Sequence, residues 1–436
     1  MRTIAVAVIS VACMRALAFG QQRDFSPGPT EQQLPRAMHS QMAQRPVVRV
    51  GIDDGDLRGS DNRVLQAAVD YVAALGGGTV EIGAGRFVMY DSLHLRSGVT
   101  VRGVKGKTLL AKANSVVSKL GLDGDFGEQQ VTVQDAKGFE VGYGVAVWDD
   151  GAGGFHTTVA RITGKGGNTF SIDKPLMADC MVANNARAAT VFPVVSGYDT
   201  EAARLENLTI EGNKAGNAPL NGCRGAGIFL YRGFGTVIEG CEVRGYNGDG
   251  ISFQQSNDVQ VINCVSEGNA GLGLHPGSGS QRPVIRGCTA RGNDTDGLFL
   301  CWRVRHGLFE DNRLEGNGRF GISIGHKDSD NLLRRNTVRL NGQNGVFFRN
   351  ESLGMAAHRN RLEDNVIEDN GIGGKYAGIR IRGFTNDLVF KGNVIRDTRP
   401  AGQRTQVIGI EIEENVGEVV MSGNKIEAET EIKDSR

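Results

Sequence analysis

The sequence predicts an all-β fold, a solenoid of parallel strands, and three observations predict it. The first is a repeat: Cys241, Cys264, Cys288, Asn312 and Asn336 stand 23, 24, 24 and 24 residues apart, and Asn365, Asn393 and Asn424 extend the series with insertions. The second is a glycine that opens an alternating run once per repeat: "GIFLYRG", "GISFQQS", "GLGLHPG", "GLFLCWR", "GISIGHK", "GVFFRNE", "GIRIRGF" and "GIEIEEN". The third is composition: 63 glycines with 22% charged and 6% aromatic residues describe a chain that turns often, and no helical periodicity runs through its C-terminal half. Short β-branched strands with Gly-rich corners at this period stack one coil on the next as a parallel β-helix. The leucine-rich repeat is the competing solenoid, but its LxxLxLxxN spacing is absent.

The elements follow in order. Residues 1–20 read as a secretory signal, with Arg2, an apolar stretch from Ile4 to Met14 and the small-residue pattern Ala16-Leu17-Ala18. Export places the chain in the periplasm or outside the cell. No later run approaches the roughly 20 apolar residues of a membrane span. Residues 21–45 are polar, Pro-containing and aperiodic, a flexible leader. Residues 46–106 hold an N-terminal cap and the first coils: Asp61 is an N-cap, and Val64, Leu65, Ala68, Val69, Val72 and Leu75 form one helical face that covers the open end of the solenoid. Between 107 and 200 the period is lost and strand-like alternation suggests an inserted antiparallel β module. Residues 201–430 are the coils that carry the cleft.

The asparagine column has a structural job. Stacked at one corner, the amides hydrogen-bond along the axis and satisfy backbone where the chain turns, and cysteine substitutes as a small buried side chain. A second series, Asn269, Asn293, Asn317, Asn341 and Asn370, follows five residues behind. The six cysteines after the signal contain no CxxC pair, and three fall on this lattice, so packing explains them better than metal binding or stapling.

The capping helix followed by "GGGTVEIGAGRF" and "SGVTVRG", and then the Asn-laddered coils, resemble the pectin-lyase-like superfamily of right-handed parallel β-helix proteins over about residues 48–430. That resemblance implies a right-handed coil and a carbohydrate-active protein, with lyases, hydrolases, epimerases, esterases and phage depolymerases all among its members. "NDTDG" at 293–297 and "GIRIRG" at 378–383 resemble fragments of polygalacturonase-type hydrolases, whose paired-Asp strand and Gly-His-Gly segment have no counterpart here. The calcium-binding acidic strands that a likeness to pectate lyases implies are also missing, so no metal site and no cofactor is assigned, and a divalent cation lacks support.

In "GISIG" Ile322 and Ile324 point inward, so alternate residues face outward in columns spaced roughly 4.8 Å along the axis. One expected column runs Phe229, Ser252, Gly273, Phe299, Ser323, Phe347, Arg380, Glu411. Its neighbour runs Tyr231, Gln254, His275, Cys301, Gly325, Arg349, Arg382, Glu413, and beyond the strand come Trp302, Arg303, His326, Lys327, Asp328, Asn350 and Glu351. Gly273 and Gly325 are expected to leave room for a ligand. Aromatics with convergent groups of both charges suit an elongated carbohydrate cleft. Phe299, Phe347, Tyr231, Trp302, Gln254, Arg303, Arg380 and Arg382 are the expected substrate contacts.

The leading reaction is β-elimination on a uronic-acid polysaccharide, which needs a cation for the substrate carboxylate, a base for the adjacent C–H and an acid for the leaving oxygen. Arg349 suits the first role, Lys327 or His326 the second, and His275 or His326 the third. The alternatives are hydrolysis by the carboxylate pair Asp328 and Glu351, with Asp296 and Asp249 as spare acids, or C5 epimerisation. A carbohydrate-binding adhesin is the non-enzymatic reading. Lys+Arg and Asp+Glu balance at 49 each, which removes the basic surplus of a nucleic-acid or anionic-membrane binder. The partner is therefore a polysaccharide, and the oligomeric state is left open.

Overall fold

The computed structural model describes residues 45–151 and 154–436. The signal and nearly all of the leader, at 1–44, lie outside the described residues. The chain winds into three long parallel sheets of 13, 11 and 11 strands. Sheet I begins with the strands Leu57–Arg58 and Val47–Gly51 and ends at Val419–Ser422; sheet II runs from Gly85–Met89 to Lys425–Glu427; sheet III runs from Leu93–His94 to Thr430–Asp434. Each coil visits III, then I, then II, as in Asp249–Gln254, Gln260–Ile262 and Val265–Glu267.

Alternation decides what fills the interior. Ile251, Leu274, Leu298, Ile322, Val346, Ile379 and Ile410 are stacked in register along sheet III and belong to one continuous buried core. Helix α1 (Asn62–Ala74) closes the N-terminal end. Asp61 Oδ1 accepts the Arg63 amide at 2.9 Å as N-cap, and Leu65, Ala68, Val69 and Val72 are buried against the first strands.

The asparagine ladder forms as the repeat implied. Asn312 Nδ2 donates to Asn336 Oδ1, Asn336 to Asn365, Asn365 to Asn393 and Asn393 to Asn424, each at 2.9 Å. Upstream the cysteines occupy the same column: the Cys288 amide donates to Asn312 Oδ1 at 2.9 Å, and the Cys264 amide to Cys288 Sγ at 3.4 Å. The second series runs from Asn269 to Asn370 and continues onto Gln406 Oε1 at 2.8 Å. All six described cysteines are buried free thiols.

The inserted module is a six-stranded antiparallel sheet from Val117–Lys119 to Arg187–Ala189, narrower than the 107–200 expected. The strand Thr108–Lys112 pairs with Thr209–Glu211 and belongs to sheet II, and Val195–Tyr198 pairs with Ala226–Tyr231 in sheet III. The module therefore leaves after the sheet II strand of one coil and returns at the sheet III strand of the next, at the corner between sheets II and III. No helix among the described residues is long and apolar enough to cross a membrane.

Candidate active site

The rim of sheet III is made by the turns that lead into sheet I. In three successive coils this turn begins with two residues in the left-handed region: Ser278 and Gly279 (φ +42° and +90°), Trp302 and Arg303 (+60° and +67°), His326 and Lys327 (+47° and +66°). Backbone hydrogen bonds from Gly279 to Trp302 and from Arg303 to His326 hold these turns one above another. Glycine adopts this conformation freely, whereas other L-residues are strained in it by about 1–2 kcal/mol each. The first position of this turn is left-handed and not glycine in Arg232, Gln255, Ser278, Trp302 and His326 alike, so only the second position, glycine at Gly279, carries a bulky side chain in exchange for glycine, at Arg303 and Lys327. Left-handed residues other than glycine also stand at further corners of the solenoid, Arg335 and Leu340 among them, so what sets these two turns apart is the chemistry of their side chains.

Two of the four side chains stack on each other. The Trp302 indole stacks on the His326 ring, centroids 5.2 Å apart and planes 12° from parallel. His326 Nδ1 is buried, with Glu351 Oε1 at 3.2 Å but out of line for a hydrogen bond, so Nε2 is the ring nitrogen left for a substrate. Burial and then the Arg349 charge lower the imidazole pKa below its ordinary 6.5, while Glu351 acts in the opposite direction. Neither Arg303 nor Lys327 has a side-chain hydrogen bond or ion pair among the described residues.

Beneath this rim Arg349 lies across the sheet rather than pointing into a cleft. Its guanidinium donates to Ser323 Oγ at 2.9 Å, the Leu300 carbonyl at 2.8 Å and Asp328 Oδ2 at 3.1 Å, and sits 4.5 Å from the Phe299 ring centroid. Gly325 makes room for it, since a Cβ there would fall 2.5 Å from Arg349 Nε. The gap expected for a ligand at Gly325 is thus filled by the protein. Asp328 is 0% exposed and also accepts the amides of Val304 (2.9 Å) and Gly325 (3.1 Å). Burial pushes its pKa up to about 7, with Arg349 and the two amides pulling it down. It is the carboxylate that ties the turn to Arg349, not an open catalytic acid, which corrects the expected role of Asp328 and its pairing with Glu351.

His275 requires a second correction. Ser252 pairs with His275, and Leu274 with Leu298, so His275 belongs to the Phe229, Ser252, Phe299, Ser323 column and Gly277 takes the place expected for it beside Gln254 and Cys301. The cause is that "GLGLHPG" offers glycines at two alternate positions. The opening glycine is Gly273, where a Cβ would fall 2.7 Å from the Ala290 Cβ on the core side, so it too leaves no gap for a ligand. His275 is 3% exposed with Nδ1 2.7 Å from Asp249 Oδ2. Burial, the largest single effect, lowers its pKa, but Asp249 and the Cys301 sulfur together outweigh it and push the value up to about 10, so the enclosed ring is a partner of Asp249 rather than a proton donor to a substrate. Asp296, the other spare acid, is fully buried and pushed up to about 6, chiefly by burial.

Several expected contacts are covered by other side chains. Phe347 stacks on Phe320 at 4.2 Å, and Phe299 has the Arg349 guanidinium over its face. Arg380 and Arg382 both reach Glu413 at 2.8 Å, and Arg380 also pairs with Glu411 at 3.2 Å. These charges are compensated along the sheet. Tyr231, Trp302 and Arg303 do line open space, together with Gln254, which is largely buried and donates to Ser252 Oγ at 2.8 Å: with Phe155, Arg224 and Gln255 they surround a cavity of about 230 Å³. Phe155 belongs to the inserted module and meets Trp302 edge-on at 6.4 Å, so the module walls this side of the groove. No cluster of three or more His, Cys, Asp or Glu suited to a metal ion occurs among the described residues.

The family described as right handed beta helix region matches residues 194–353. Among solved structures, the chain is similar to the A-module of the mannuronan C-5 epimerase AlgE4 of Azotobacter vinelandii, at 16% identity and a TM-score of 0.52 over 88% of this chain and 97% of that one. It is also similar to the Dettilon tailspike protein gp208, at 11% identity and a TM-score of 0.51 over 85% of this chain and 57% of that one. No curated protein is similar to it in sequence. The fold is therefore that of the right-handed parallel β-helix proteins. At these identities the likeness is one of fold.

Proposed function

We propose that the protein is a carbohydrate-active enzyme that removes the C5 proton of a uronic acid unit in an acidic polysaccharide, with β-elimination as the outcome. The observation that carries this reading is the pair of left-handed turns, in which an imidazole of lowered pKa, followed in the chain by the unpaired Lys327, stacks on Trp302 at the edge of an aromatic-walled cavity that Arg303 also lines. A neutral imidazole near pH 7 is a competent base, and Nε2 of His326 takes the C5 proton. Lys327 and Arg303 meet the substrate carboxylate and stabilise the negative charge that develops on it. As the C4–O bond breaks, the leaving oxygen takes a proton from the His326 imidazolium or the Lys327 ammonium. Arg349, with Asp328 beneath it, positions the turn and lowers the basicity of His326.

C5 epimerisation is the second reading, because the likeness to a mannuronan C-5 epimerase module extends over almost the whole of that module and epimerisation begins with the same proton abstraction. Hydrolysis by paired carboxylates loses support, because Asp328 is enclosed. A panel of acidic and neutral polysaccharides separates the outcomes: ultraviolet absorbance from unsaturated ends marks elimination, a changed sugar composition without cleavage marks epimerisation, and reducing ends alone mark hydrolysis. Binding that survives His326→Ala and Lys327→Ala with no turnover in the wild type would make the protein a binding module.

A further inference from the structure

A second cavity, of about 430 Å³, lies between the inserted module and the first coils of sheet III. Lys174 and Met177 of the module face Tyr198, Arg224, Phe229 and Tyr231 of the coils across it. The Lys174 ammonium sits 3.5 Å from the Tyr198 ring centroid and has no hydrogen bond or ion pair among the described residues. Burial lowers its pKa, while the charges of Asp173, Asp91 and Asp199, none of them in an ion pair with it, act in the opposite direction. Arg224 spends only Nε, on the Phe155 carbonyl. Neighbouring Arg232, by contrast, is fully engaged with Asp199 through two hydrogen bonds of 2.6 and 2.7 Å. The cavity thus holds an ammonium whose partner is the Tyr198 ring and a half-free guanidinium, with the Asp199 carboxylate on its lining neutralised by Arg232, beside Tyr198 and Tyr231, whose rings lie 6.1 Å apart. Nothing in the fold needs an unpaired cation here: the same packing is reached with an apolar side chain at lower desolvation cost.

We propose that this cavity is a binding subsite for a carboxylate-bearing pyranose, held by Lys174 and Arg224 through its carboxylate and by Tyr198 and Tyr231 against its ring. The inference rests on the uronate reading above and deepens it, because the ligand is a distant unit of the same chain. Arg224 and Tyr231 also line the smaller cavity that ends at Trp302 and Arg303, so the two spaces adjoin. From the Tyr231 coil to the coil of Gly325 and His326 is four steps in register, or about 19 Å at ~4.8 Å per coil. Only an oligosaccharide long enough to cover that distance fills both ends.

The test is calorimetric titration of wild type, Lys174→Gln and Lys174→Arg with size-fractionated oligomannuronate, oligoguluronate and oligogalacturonate, and with neutral cello-oligomers of equal length. Wild type binds at least one acidic series with affinity that rises once the chain spans both cavities. Lys174→Gln loses that rise, about tenfold in Kd, equivalent to about 1.4 kcal/mol, and Lys174→Arg restores most of it. Trisaccharide affinity stays that of the wild type. Equal affinity of wild type and Lys174→Gln for long acidic chains overturns the subsite, as does a preference for the neutral series or failure of wild type to bind any acidic oligomer. Binding is read without turnover: an inactive protein that still shows the Lys174-dependent step refutes the reaction proposed above and leaves the subsite standing.

Discussion

Lys327→Gly separates folding from function at the rim. Lys327 is held at φ +66°, and its side chain has no partner among the described residues, so truncation loses no hydrogen bond or ion pair. Its amide bond to the Met355 carbonyl, at 2.7 Å, belongs to the backbone and survives. Relief of left-handed strain is worth about 1–2 kcal/mol, and the greater freedom of glycine in the unfolded chain returns about 0.4–1 kcal/mol of that. The net expectation is a protein more stable by about 0.5–1 kcal/mol, read as a higher urea midpoint at unchanged slope. Gly279, at the equivalent position two coils earlier, shows that the turn accepts glycine at φ +90°. Turnover on the acidic polysaccharide found in the panel should fall at least tenfold in the same variant. A lower midpoint would refute the strain argument, and undiminished turnover would refute the role of Lys327. His326→Gly is the companion: it also loses the Trp302 stack, worth about 0.5–1.5 kcal/mol, so its midpoint should stay near that of the wild type while activity disappears.

Three further outcomes follow from the same geometry. The acid limb of kcat/KM should fall below pH 6.5, the ordinary histidine value, and Glu351→Gln should move it lower still, because the Glu351 charge favours the protonated ring; a limb unmoved by Glu351→Gln would exclude His326 as the base. Asp328→Ala leaves the Arg349 guanidinium and two amides without their carboxylate and should cost about 3–5 kcal/mol by urea unfolding, whereas Asp328→Asn retains an oxygen for the amides and should cost less. Asn336→Ala strips acceptors from the Asn312 amide and side chain and donors from the Phe309 carbonyl and Asn365. At about 1–3 kcal/mol for a buried group left unpaired, unfolding should register roughly 3 kcal/mol or more, and Asn336→Cys should be milder because Cys264 and Cys288 fill the same column.

What was legible in the sequence was whatever the repeat enforces locally. The Asn and Cys columns are readable because a buried ladder demands the same small hydrogen-bonding side chain in every coil, and α1 is readable because its cap and apolar face lie within one segment. Side-chain direction on the outer face was not readable. Arg349 folds over Gly325, Phe347 finds Phe320, and Arg380 and Arg382 converge on Glu413, each a choice made between coils. The cavity around Lys174 was out of reach for the same reason, since it joins the module to the strands Val195–Tyr198 and Ala226–Tyr231, which come later in the chain. The register of His275 was lost to an ambiguity of composition, two glycines at alternate positions of one strand. One signal lies in the turn column: the pairs run Ser278-Gly279, Trp302-Arg303, His326-Lys327, and among these six only Gly279 is a residue that left-handed backbone favours. A solenoid repeats its backbone path, so a coil that refuses glycine where its neighbour accepts it keeps a side chain at the expense of stability. In this turn such a refusal marks Arg303 and Lys327, whereas His275, Asp328 and Arg380 are held by their neighbours Asp249, Arg349 and Glu413.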